Sequence, residues 1–131
     1  GNRDFASWMN SQLSGDKMVV VNNTIDIVPH AWNSKTLFEI PALYGAEYEP
    51  GFILKTAIEA TAAFVKELDY QEIGSGNQVQ PLDGTIWTEP NPSAWSDIRF
   101  LTQAGYQHVN AYPELLDLPD LLTLCKECQN A

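Results

Sequence analysis

The run Val19-Val20-Val21 limits what this chain can become more than any other feature. Three consecutive β-branched residues without polar alternation read as a strand buried on both faces, the pattern of a parallel sheet covered by helices. The run meets Asn22, Asn23 and Asp26 and stops at Pro29. Before it, Phe5, Trp8, Met9 and Leu13 recur at helical spacing, with Asp4 as N-cap and Gly15 as terminator. Helix followed by parallel-type strand is half of a βαβ unit. The first strand of that unit is expected before Gly1.

The remaining residues offer few strands. The segment LFEIPALYG is apolar but broken by Pro41, and residues 52–68 read as the best helix of the chain. Residues 70–88 read as strand, turn, strand: a hairpin with turn residues at 74–77 and a further turn signal at Asp83-Gly84. From Ser93 onward the chain reads as mostly helical, interrupted at Gly105 and by Pro113 and Pro119. An unpaired buried amide costs about 1–3 kcal/mol, so the valine strand needs neighbours, and its partners are expected outside this chain. The fold class expected is α/β, and residues 1–131 are read as a single partial domain.

A net charge of −10 argues against nucleic acid or anionic headgroups as electrostatic partners. No apolar run is long enough to span a membrane. The compartment stays open, secretion included. Cys125 and Cys128 form a lone C-x-x-C at the end of a leucine-rich stretch. A zinc site needs about four ligands, and the two read as ordinary thiols, with a disulfide or redox role as the alternative.

Asp26 admits two readings. An aspartate after a strand is a common turn residue, accepting backbone N–H groups. Ligands and catalytic groups of open α/β sheets also gather at the carboxyl ends of strands. There a carboxylate can orient an imidazole as the third member of a Ser-His-Asp triad. His30 follows four residues on, past Pro29, while His108 comes from a distant segment. A catalytic histidine must reach in from a separate loop, which favours His108. A metal site from Asp26, His30 and Glu39 has ligand chemistry but no recognisable spacing, and no metal or other cofactor is expected.

At these residues the chain resembles the class 3, fungal-lipase-like family of α/β-hydrolases. In that family a G-N-x-x-F segment precedes a helix and then a strand of the form V-V-N-x-x-D-x-V-P. Here these match Gly1, Asn2 and Phe5, then Val20, Val21, Asn22 or Asn23, Asp26, Val28 and Pro29. A later segment like Y-x-H-x-x-x-Y matches Tyr106, His108 and Tyr112. The resemblance implies the C-terminal half of an α/β-hydrolase fold, with the helix at 52–68 and the hairpin as an insertion. It implies Asp26 as triad acid and His108 as triad base of a triacylglycerol lipase or carboxylesterase. The order Asp before His fits that fold.

The nucleophile is not found. There is no G-x-S-x-G, and the nearest string, IGSGN, puts Ser75 in a turn. The serine and oxyanion hole are therefore expected in an upstream half of the same protein, and this chain alone is expected to be inactive. The substrate would be a lipid or small ester, with Trp32, Phe38 and Tyr44 as candidates for lining an acyl pocket. The alternative is a non-catalytic acidic binding module or a degenerate lipase fragment.

Overall fold

The computed structural model describes residues 3–13, 18–31, 34–68 and 78–118. The chain forms α1 (Arg3–Gln12), β1 (Val19–Asn23), the one-turn helices α2 (Ile27–His30) and α3 (Ser34–Leu37), and two 3₁₀ turns at Ile40–Ala42 and Ala46–Tyr48. Then come α4 (Phe52–Lys66), β2 (Gln78–Leu82), α5 (Ser96–Gly105), a π-helical turn at Tyr106–Asn110, and α6 (Ala111–Leu115).

β1 does have a partner within this chain, contrary to expectation. β2 lies alongside it in parallel, from Val19 opposite Gln78 to Asn23 opposite Leu82. Parallel pairing requires a long crossover, and the stretch containing α2 to α4 supplies it. Of the hairpin read over residues 70–88, the second arm is seen as β2, paired with β1. Its first arm lies outside the described residues, as do Trp32, Ser75, Cys125 and Cys128. Pro81, which has no N–H, suits β2 as a strand with one neighbour among the described residues.

The valines are less buried than their run suggests. Val19 is exposed and Val20 and Val21 only half-buried. Among the described residues the sheet ends at β1, so the far side of the strand stays uncovered. On α1, Phe5 and Trp8 lean on one another with ring centroids 6.1 Å apart, and both are about half exposed. α1 begins at Arg3, which places Asp4 in its first turn, where the carboxylate faces the positive helix end.

The core lies between the crossover and α5. Leu37, Ile40, Tyr44, Tyr48 and Ala62 pack on Phe100 and Ala104. Tyr44 and Phe100 stack at a tilt, with centroids 5.4 Å apart. The N-terminus of α5 is tied to that of α4 by the Gly51 N–H, which donates to Asp97 Oδ1 at 2.6 Å. Gly105 does not interrupt the helix. It has ordinary helical dihedrals, and the chain runs on into the π turn. Among the described residues, no helix is long and apolar enough to cross a membrane.

Gly84 marks where the chain after β2 crosses the end of β1. A Cβ at this position would strike Asn23 Oδ1 and meet Ile25 Cγ1 at 2.7 Å. Gly84→Ala should therefore cost about 1–3 kcal/mol. A urea melt with an unchanged midpoint would contradict this close approach.

Candidate active site

β1 delivers Asp26 through a short turn. The Asp26 N–H donates to Asn23 O at 3.0 Å, and the Ile25 N–H donates to Asn23 Oδ1 at 3.2 Å. Asp26 then caps α2: its Oδ1 accepts from the Val28 N–H at 2.9 Å. The turn role weighed from the sequence is thus present, and it uses one carboxylate oxygen. The other is engaged elsewhere. Asp26 Oδ2 lies 2.9 Å from His108 Nδ1 and accepts from the Tyr112 hydroxyl at 3.0 Å.

The carboxylate is 1% exposed, whereas the His108 side chain is 50% exposed. A carboxylate can only accept, so the hydrogen of this contact belongs to Nδ1. In the neutral ring Nε2 then keeps its lone pair. Ionised, a buried carboxylate is costly unless hydrogen bonds replace its water. Here Val28, His108 and Tyr112 replace it.

His108 stands on the π turn, not in a loop. Pro113 follows closely and has no N–H to return to the carbonyl four residues back. Wide turns of this kind inside helices recur at functional sites. The turn is anchored by buried amides. Asn23 Nδ2 donates to Gln107 O at 3.1 Å and to Gln107 Oε1 at 2.8 Å. Gln107 Nε2 donates to Thr85 O at 2.7 Å. With its amide oriented as its neighbours require, Gln103 accepts from Gln107 Nε2 at 2.8 Å and from the Trp87 N–H at 3.0 Å. It also donates to Trp87 O at 3.0 Å. Trp87 stacks on Tyr106 with ring planes 9° apart and centroids 4.9 Å apart. Strand end, π turn, α5 and the extended chain after β2 are thereby locked together beside His108.

Of these amides, Gln103 and Gln107 were missed in the sequence. The available signal was their placement at i, i+3, i+4 steps along the buried stripe Phe100, Gln103, Ala104, Gln107 and Ala111. Amides on an apolar face must pair with one another or with the backbone.

The other candidates lie elsewhere. His30 does not meet Asp26: its Nε2 lies 3.3 Å from Thr24 O. Among the described residues, no group of three or more His, Cys, Asp or Glu side chains is placed to hold a metal ion. An apolar cavity of about 330 Å³ opens next to α2, lined by residues including Ile27, Ala31, Ile40, Leu54, Ile58 and Phe100. Neither Phe38 nor Tyr44 lines it. Phe38 is 52% exposed, and Tyr44 is 3% exposed within the core. An aromatic residue near the Asp in sequence packs where the 3₁₀ turns send it. Burial, followed by the nearby Asp26 charge, holds the Tyr44 hydroxyl well above the usual phenol range.

Asn23→Ala should cost about 1–3 kcal/mol, since it leaves the Ile25 N–H and the Gln107 side-chain oxygen without this partner in a buried site. Chemical unfolding checks this. A change under about 0.5 kcal/mol, the range of ordinary surface substitutions, would mean the amide network carries little.

No protein-family model matches the chain, and no curated protein matches it. Among solved structures the chain is similar to the crystal structure of M37 lipase, with 35% sequence identity and a TM-score of 0.73. The match covers 90% of this chain and 32% of the lipase chain, so the segment spans a minor share of that lipase's length. On this match the chain resembles the fungal-lipase-like lipases in structure as well as in sequence.

Proposed function

We propose that this chain is the C-terminal part of an α/β-hydrolase, a lipase or carboxylesterase, and that it supplies the acid and base of a Ser-His-Asp triad. The observation that carries the reading is the 2.9 Å contact between buried Asp26 Oδ2 and His108 Nδ1 on a half-exposed imidazole. The exposed side chains of Val19 on β1 and Trp8 on α1 support it too. Further strands and helices of a longer hydrolase would cover them.

In this reading His108 Nε2 takes the proton of a serine hydroxyl contributed by the remainder of the protein as that oxygen attacks the ester carbonyl. Asp26 accepts the Nδ1–H throughout, fixes the tautomer and stabilises the imidazolium. His108 then gives the proton to the departing alkoxide. In the second half it activates water against the acyl-enzyme and returns the proton to serine. The cavity beside α2 begins at Ile27, the residue after Asp26, and its apolar lining suits an acyl chain.

The test is hydrolysis of a short p-nitrophenyl ester by the longer protein that carries this segment. His108→Ala should reduce kcat by about 10⁴-fold or more, because triad members act as a unit, while His30→Ala should retain turnover. Loss in the His30 variant only would reverse the assignment. The 131-residue chain by itself should release no p-nitrophenol. Turnover by this chain that vanishes on Ser75→Ala would contradict an external nucleophile.

A further inference from the structure

The Asp26 carboxylate has a second neighbour on the oxygen that faces His108, and the triad as described makes no use of it. The Tyr112 hydroxyl donates to Oδ2 at 3.0 Å and accepts from the Asn23 N–H at 3.1 Å. Both of its hydrogen-bonding roles are therefore taken, and the O–H direction is fixed. The Asn23 N–H lies at the uncovered side of β1. The following N–H, that of Thr24, donates to Leu82 O of β2 at 2.9 Å, and successive peptide N–H groups of a strand point to opposite sides. The tyrosine thus occupies the place of a ladder partner at the strand end and passes that fixed point on to the carboxylate.

We propose that Tyr112 is a positioning residue for the Asp26–His108 pair: anchored to the end of β1, its hydroxyl keeps Oδ2 turned toward the imidazole. This inference rests on the triad reading above. The geometry gives the device its reach. Oδ1 is held by the Val28 N–H of α2, so Tyr112 supplies the restraint on the opposite oxygen. Tyr112 comes four residues after His108 on the same helical stretch. A displacement of that stretch would carry imidazole and hydroxyl together, and the strand N–H is what opposes it.

The groups that face the carboxylate are His108 and Tyr112 from the last helical stretch and Tyr44 from the crossover. Burial, with the hydrogen bond and charge of Asp26, raises the Tyr112 phenol above its usual range against a lowering by the Asn23 N–H. The hydroxyl therefore stays protonated and remains a donor at ordinary pH. Its hydrogen bond also draws charge from Oδ2, which moderates how strongly the carboxylate stabilises the imidazolium.

The experiment is steady-state ester hydrolysis by the longer protein. Tyr112→Phe should lower kcat by about tenfold or more, with KM changed by less than about twofold, as expected when reacting groups lose alignment. In an Asp26→Asn background the same change should cost less than about twofold, since the oxygen it orients is gone. A Tyr112→Phe kcat within about twofold of the parent, or an equal loss in both backgrounds, would overturn the proposal. Where the Phe variant does not fold, 3-fluorotyrosine at position 112 decides. This stronger donor of nearly the same shape should move the acidic limb of kcat/KM to lower pH, and an unmoved limb overturns the proposal. His108→Ala separates the two readings. If it leaves turnover intact, the triad assignment fails and this inference with it. If it abolishes turnover while Tyr112→Phe does not, only the role of Tyr112 fails.

Discussion

A buried carboxylate, Asp26, is the group around which this chain is arranged. Removing it from water is costly, and each element near it contributes to the compensation. The turn after β1 and the first turn of α2 bring the Val28 N–H to Oδ1, and the π turn and α6 bring His108 and Tyr112 to Oδ2. The contacts to Oδ2 join residues more than eighty positions apart in the chain. The parallel pairing of β1 with β2 and the packing of α5 against the crossover hold those distant segments together.

An unusual turn and polar burial follow from that demand. A π turn is an uncommon conformation, and Gln103, Gln107 and Asn23 are polar side chains in a compact interior. Each is satisfied by another or by backbone, so the network specifies where the turn sits while leaving no amide unpaired. The apolar cavity is lined by Ile27 of α2 together with Leu54, Ile58 and Phe100. The apolar lining therefore reaches Ile27, the residue that follows Asp26.

Much of this was legible in the chain itself. The valine run, the helix at Phe52–Lys66 and the α1 periodicity are local signals, and the elements appear where the spacing put them. Asp26 and His108 were picked out by strand-end position and by the family-like spacing, and their polar atoms lie together. What was hidden is non-local. The pairing of β2 with β1 depends on a crossover path that no local pattern encodes. The burial of Tyr44 depends on how two 3₁₀ turns fold over Phe100. The π turn arises between Gly105 and Pro113, two residues that read in sequence as interruptions and instead bracket a continuous helical path. The exposed side chains of Val19 on β1 and Trp8 on α1 show the reverse case: the pattern predicts burial, and the covering partners are not among the described residues.

The central claim is that Asp26 holds the imidazole of His108 by its Nδ1–H. Proton NMR of the histidine ring N–H groups, with ¹⁵N-labelled histidine, observes that bond directly. The account predicts a downfield, slowly exchanging Nδ1–H resonance belonging to His108 that moves upfield in Asp26→Asn and is untouched by His30→Ala. A His108 ring that exchanges freely between tautomers, or a downfield signal that belongs to His30, would contradict it.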